Sequence, residues 1–315
     1  MTAPLSDPRK VFGATVSQLA ETRPEVVVLS TDSGKSSGFG DFAARHRERY
    51  FELGIMEQGA MGVASGLATT GRVPVFCAIA PFVTVRPYEM LRNDVGYMRQ
   101  NVKVVGRNSG VTYSDLGATH HSLEDFAITR MIPGLTVLAP VDPAEIEAAC
   151  VAMLDHPGPV YMRIGNEPIP DLAPAQPFVI GRGRTLRPGS DVTVVTTGSI
   201  AGSALAAAEL LAERGLAAEV LGLGTVWPLD EDLIIESARR TGRIVTVEEH
   251  YVVGGLGSMV RELSAERLGI PVAKLGLPHG YSTSGPYHQL LAHYGLDPAG
   301  LASSIQAFLE SPLPY

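Results

Sequence analysis

The sequence holds little cysteine, no excess of positive charge and no long hydrophobic run, and each shortage closes off a class of protein. Only Cys77 and Cys150 occur in 315 residues, each inside an apolar stretch. A disulfide framework or a thiolate zinc site needs more, so buried reduced thiols in a reducing cytoplasm are expected. Lys and Arg number 25 against 33 Asp and Glu, a formal charge of −8. With no basic cluster interleaved with aromatics, that balance excludes nucleic acid and an anionic membrane surface as natural partners. No run of roughly 18 apolar residues occurs, and the opening MTAPLSDPRK lacks the basic start and apolar core of a signal peptide, so neither export nor anchoring is expected. What is present, 45% hydrophobic and 18% charged residues, is the composition of a folded globular chain. At about 150 residues per domain the length suits two domains.

Short, nearly continuous apolar runs punctuate the first half: EVVVLS from Glu25, VPVFCAIA from Val73, VKVVG from Val102, LTVLA from Leu135 and VYMR from Val160. Strands apolar on both faces belong to parallel sheets covered by helices. The stretches between them, such as Glu57–Thr70 and Asp142–Asp155, are long enough to be crossover helices, so right-handed βαβ units follow. Pro168, Pro170, Pro174 and Pro177 then break any regular element. A second α/β pattern resumes with DVTVVT from Asp191, AEVLG from Ala218, RIVTVE from Arg243 and PVAKL from Pro271. The reading is two doubly wound α/β domains, over residues 1–167 and 191–315, joined by a linker over 168–190.

Ligands of doubly wound sheets bind beyond the carboxyl ends of the strands, which directs attention to the polar residues at those exits. Asp32 and Ser36 follow the first strand, Glu57 follows the FELG segment, Phe82 follows the Val73 strand, and Arg163 ends the Val160 strand. Glu57 opens a segment in which Gly59, Gly62 and Gly66 share one helix face, a stripe that lets another backbone approach closely. Its carboxylate is either a first-turn residue favoured by the helix dipole or a functional group. His120 and His121 are adjacent, the wrong spacing for a helical metal pair, and an acid/base or hydrogen-bonding role suits imidazole better. Ser122 and Asp125 have the spacing of a helix cap. Arg163 fits a bidentate phosphate or carboxylate contact, or a structural ion pair. The Gly254-Gly255-Leu256-Gly257 turn fits either a phosphate cradle or tight packing.

Six segments in order, FELGIMEQGAMGVASGLA, RPYEMLRNDV, THHSLEDFAITRMIPGLTVLAPVDPAE, GPVYMRIGN, VTVEEHYVVGGLGSMV and SGPYHQLLAHYGLD, resemble the C-terminal half of transketolase. More broadly they resemble the pyrimidine-binding and C-terminal domains of thiamine-diphosphate enzymes. The resemblance covers nearly the whole chain. The family's Gly-Asp-Gly diphosphate motif, which holds a divalent metal such as Mg²⁺, does not occur in the sequence. The resemblance therefore implies one subunit of a split enzyme, with a second chain supplying the diphosphate-binding domain and most of the metal site in an α2β2 heterotetramer.

Residue by residue, the resemblance assigns Glu57 to the hydrogen bond with the aminopyrimidine ring nitrogen of thiamine diphosphate. That role needs a shared proton, which desolvation by the partner chain would have to favour against the helix dipole. His120 matches the histidine that handles protons on the substrate's carbonyl or hydroxyl. Phe82 matches the aromatic on which the pyrimidine stacks, and Ile79 also stands where the family often has Phe. Asp32, Ser36, His121 and Arg163 fall at substrate-binding positions, Arg163 matching an arginine that grips a sugar phosphate. The approach Val111–Leu116 lacks the family's additional His-Asp stretch and acidic residue, and Asp115 is the available replacement carboxylate. The implied activity is carbohydrate metabolism by ketol transfer from a ketose to an aldehyde. The alternatives are a decarboxylating thiamine enzyme, such as a deoxyxylulose-phosphate synthase or a 2-oxoacid dehydrogenase β-subunit, and a non-catalytic α/β binding subunit.

Overall fold

The computed structural model of the chain describes residues 4–311. Its first half lays down β1 (Leu5–Ser6), β2 (Val26–Ser30), β3 (Tyr50–Glu52), β4 (Val73–Ile79), β5 (Lys103–Arg107), β6 (Thr136–Leu138), β7 (Val160–Arg163) and β8 (Ile169–Pro170). The second half adds β9 (Arg184–Arg187), β10 (Val192–Thr196), β11 (Ala218–Gly222), β12 (Thr225–Trp227), β13 (Ile244–Tyr251) and β14 (Val272–Leu277). The apolar runs read as strands are strands, and they pair in parallel, because each is covered on both faces by helices.

The first sheet has the order β12-β6-β7-β5-β4-β2-β3, and the second β14-β13-β10-β11-β9. Two strands depart from the sequence reading. Arg184–Arg187, inside the stretch expected to be linker, lies beyond the last of its clustered prolines and pairs antiparallel to β11 as an edge strand. Thr225–Trp227 leaves the second domain altogether and pairs antiparallel to β6. One apolar cluster runs from Phe76, Phe126 and Val137 through to Leu221, Val226 and Leu256, so the two sheets share core.

The remaining features resolve as packing. Cys77 and Cys150 are buried and unpaired, and burial pushes the Cys77 thiol up to about 11. The turn at Gly254–Gly257 holds an internal anion: the carboxylate of Glu248 accepts the N–H groups of Leu256 and Gly257, both at 2.7 Å. Its two acceptor oxygens fill the place a phosphate would take. Among the described residues no helix is long and apolar enough to cross a membrane.

The turn after β2 is seated by direct backbone contact. The helix Pro8–Leu19 presents Gly13 to Gly38, where a Cβ would fall 2.3 Å from the Gly38 carbonyl oxygen. Backbone cannot yield as a flexible side chain does. Gly13→Ala is therefore expected to cost ~1–3 kcal/mol by overpacking, read as a lower denaturation midpoint. Gly40→Ala, which meets nothing within 4 Å, should leave the midpoint in place. Equal midpoints for both variants would show that the turn is not held this way.

Candidate active site

The carboxyl ends of the parallel strands β2, β3, β4 and β5 face one side, and the segments leaving β3, β4 and β5 build the site. Glu57 begins the helix Glu57–Ala68 and is 3% exposed. A buried carboxylate needs a partner, and Glu57 has one: Arg86 Nη1 donates to its Oε2 at 2.8 Å. The same guanidinium lies over the ring of Phe82, 3.9 Å from its centroid. Phe82 in turn meets His120 edge to face at 5.2 Å, and Tyr113 also meets that imidazole edge to face, at 5.6 Å. Glu57, Arg86, Phe82, His120 and Tyr113 thus form one continuous constellation.

His120 is half-buried, with Nδ1 2.9 Å from the hydroxyl of Thr119. Burial, then the positive charge of Arg86, pushes its pKa below that of an ordinary histidine. The imidazole is therefore neutral at neutral pH, the form able to take a proton.

The other expected site residues lie elsewhere. Ile79 ends β4 half-buried, just before the turn of helix Ala80–Thr84 that carries Phe82. Asp32 (φ 57°) and Ser36 are exposed on the loop after β2. They line a cleft of ≈ 660 Å³ with Lys35, Arg9, Lys10 and Glu52. Asp115 is exposed in the 3₁₀ turn Ser114–Thr119, ahead of His120. His121 points away from His120's neighbours: it is 3% exposed, and its Nδ1 lies 2.5 Å from the hydroxyl of Ser282 in the second domain.

Arg163 is the clearest correction. It is buried, donates to Asp125 Oδ1 at 2.8 Å and to the Glu249 carbonyl at 2.9 Å, and stacks over Phe126 at 4.3 Å. Burial works against its charge, but Asp125, Tyr161 and Glu249 outweigh it and raise the guanidinium's pKa. Its donors serve the seam between the domains, so the ion-pair alternative holds rather than a grip on phosphate. Asp125 is committed to the same network, accepting from Tyr161 at 2.7 Å. The expected cap is not made, since Ser122 Oγ has no partner and the helix Asp125–Thr129 has no side-chain cap.

Three contributors escaped sequence reasoning. Arg86 opens the RPYEM segment four positions after Phe82, in the turn just past the helix Ala80–Thr84 that carries that ring. Tyr113 gave only an aromatic in a glycine-rich loop. Arg107, at the end of an apolar strand, is 3% exposed and has only neutral partners: Ser37 and Ser36 hydroxyls at 3.0 Å each and the Asn108 amide oxygen at 2.9 Å. It lies directly beneath the loop of Asp32 and Ser36. Among the described residues no group of three or more His, Cys, Asp or Glu is placed to hold a metal ion.

Comparison with known proteins bears on both halves of the chain. The family "Transketolase, pyrimidine binding domain" matches residues 6–169, and "Transketolase, C-terminal domain" matches residues 181–301. The chain is 38% identical to one of the subunits of the apulose-4-phosphate transketolase of Phocaeicola vulgatus, over 96% of this chain and 97% of that one. It is 37% identical to a 6-deoxy-6-sulfo-D-fructose transketolase subunit of a Clostridium species, over 89% and 87%. A solved structure described as "Split gene transketolase, inactive beta4 tetramer" superposes with a TM-score of 0.88, 38% identity and coverage of 96% and 98%.

The buried pair gives a test of Arg163. Removing one partner of such a pair leaves the other charge unpaired, so Arg163→Gln is expected to destabilise the fold by ~3–5 kcal/mol in denaturant unfolding. Unchanged stability with weakened anion binding would return Arg163 to the site.

Proposed function

This chain belongs to the transketolase family, and we propose how its residues serve that activity. It is the pyrimidine-binding subunit of a two-chain transketolase, a transferase that moves a two-carbon ketol unit from a ketose to an aldehyde. The family depends on thiamine diphosphate, which supplies, when bound, a carbon acid whose conjugate carbanion is the nucleophile toward the ketose carbonyl.

The observation that carries the reading is the position of Arg86. Its guanidinium is a flat nitrogen donor that stacks on Phe82 and donates to Glu57. An aminopyrimidine is likewise flat, but its ring nitrogen accepts where the guanidinium donates, so Glu57 would have to share a proton with it for this chain's residues to fit the cofactor's ring. Glu57 would hold that ring nitrogen and Phe82 its face, with Ile79 adjoining. Arg86 would move aside, and 37% of its side chain is exposed, which leaves it room to do so. His120, neutral and beside Phe82, would take and return the proton of the substrate hydroxyl or carbonyl.

A second chain would complete the site with the Gly-Asp-Gly domain, the diphosphate contacts and the Mg²⁺, in an α2β2 assembly within the cytoplasm. The helix of Glu57 leaves room for such packing: a Cβ on its glycine face would meet the flexible end of Met56 at Gly59, Asp94 at Gly62 and nothing at Gly66, and Ile55, Met56 and Val63 are exposed beside it. The acceptor would carry an anionic far end. Arg107, a buried cation whose hydrogen-bond partners are all neutral, lies beneath the loop of Asp32 and Ser36, and with Lys35 at the rim it would offset the carboxylates of Asp7, Asp32 and Glu52 in the same cleft. Asp115 would meet the substrate's hydroxyls from the His120 loop. His121 and Arg163 have no place in this substrate site, being held by Ser282 and Asp125.

The role of Glu57 is open to direct trial. In the reconstituted two-chain enzyme, Glu57→Gln should lower kcat by ~10²-fold or more, while co-purification and complex size stay as in the wild type. Wild-type turnover in that variant would remove Glu57 from the chemistry.

A further inference from the structure

The loop that carries His120 runs from Asn108 to Glu124 and is tied to both domains, the first holding it through Arg107 on Asn108, Ser109 Oγ on the Ile164 carbonyl, Asn166 on the Thr112 carbonyl and Phe82 against His120. Within that domain Ser109 N–H donates to the Ile164 carbonyl at 3.1 Å, and Ser122 N–H donates across the loop to Gly110 at 2.9 Å. Much of the remaining anchorage comes from the second domain. Val111 N–H donates to Oε2 of Glu249 at 3.1 Å, and Oε1 of the same carboxylate accepts from the Tyr287 hydroxyl at 2.6 Å. Gly110 stands at φ 61°, and a Cβ there would fall 2.3 Å from Glu249 Oε2. Carboxylate and loop backbone are therefore in direct contact.

Further along the loop the pattern repeats. Gly285 N–H donates to the Ser114 carbonyl at 3.3 Å, Ser284 Cβ lies 3.3 Å from where a Cβ on Gly117 would stand, and Ser282 Oγ lies 2.5 Å from Nδ1 of His121. Tyr251 N–H donates to the Leu123 carbonyl at 2.9 Å. Val111 and Leu123 are themselves packed in the second domain's core with Val192, Leu277 and Tyr287.

We infer that the second domain positions His120, with Glu249 and Ser282 as its two holding points. An irregular loop keeps one conformation only where its backbone and side chains are tied. Glu249, 3% exposed, ties the loop where it leaves β5. Ser282 ties the side chain of the residue next to His120, which holds the loop on that side. A displacement of about 1 Å at a reacting group costs on the order of 10²-fold in rate, which makes such ties matter to turnover. Both are positioning residues, acting through the loop, and the inference rests on the role given to His120 above.

The test uses the reconstituted two-chain enzyme. Ser282→Ala and Glu249→Ala are each expected to lower kcat about tenfold, with KM and the dissociation constant of thiamine diphosphate changing by less than about twofold. The cofactor's ring contacts, Glu57 and Phe82, lie outside the loop, so a general loosening of the fold would not produce that split. Ser282→Thr keeps the hydroxyl. Glu249→Gln keeps an oxygen to accept from Val111 and an amide to donate to Tyr287. Both conservative variants should restore most of the lost kcat. Ser282, away from the buried carboxylate, keeps the test sound where Glu249→Ala fails to fold. His120→Asn serves as the benchmark. If it abolishes turnover while Ser282→Ala keeps wild-type kcat, the positioning role is overturned alone. If His120→Asn itself keeps wild-type turnover, the role of His120 and the positioning of it fall together.

Discussion

Arg163 and Asp125 are paired where water does not reach, and the arrangement of both domains follows from how that pair is satisfied. A buried ion pair is not a strong source of stability, because desolvation offsets most of the attraction. What it enforces is geometry, since every donor and acceptor must find a partner. Asp125 has Tyr161 and Arg163 on its two oxygens, and Arg163 completes its set on the Glu249 carbonyl, at the carboxyl end of β13. Any shift of the second sheet would strip the guanidinium of that acceptor. The same residue whose backbone closes the ion pair sends its side chain to Val111. One position of β13 thereby registers the two domains and touches the loop of His120.

From that seam the chemistry of the site can be traced outward. The strand ends of the first sheet supply a carboxylate on a helix, an aromatic face and a neutral imidazole within one run of contacts, and Arg86 closes the run between Glu57 and Phe82. An ion pair of this kind satisfies Glu57 as long as nothing else does. A cofactor ring must therefore displace Arg86 as well as find its own contacts, and a second chain that supplies the diphosphate and metal contacts would provide the free energy for that exchange. On the function proposed above, this division of labour would account for the need for a partner.

Most of the architecture was legible in the sequence because parallel strands covered on both faces announce themselves as short continuous apolar runs. Arg184–Arg187 and Thr225–Trp227 were not legible, since they are short, mixed in polarity and antiparallel at sheet edges. No apolar periodicity marks such strands. The site divided similarly. Glu57 and Phe82 stood at strand exits and His120 in a recognisable segment, and the structure brings the three together. Arg163 stood at a strand exit too, but a lone arginine there looks the same whether it serves a ligand or a buried aspartate. Only the position of Asp125, 38 residues away in sequence, separates the two. The Ser122 and Asp125 spacing misled for the same reason: the carboxylate that would cap a helix is drawn to the stronger partner, Arg163. Arg107 and Glu249 escaped notice because charged residues ending apolar strands carry no local pattern that reveals what lies across the sheet.

The central claim is that this chain holds the ring half of a thiamine-diphosphate site whose other half belongs to a second chain. Calorimetric titration of thiamine diphosphate with Mg²⁺ into this chain alone, and then into an equimolar mixture with the partner subunit, measures that claim most directly. Binding in the mixture with none in the isolated chain is the predicted result. Equally tight binding by the isolated chain, or no binding in the mixture, would contradict it.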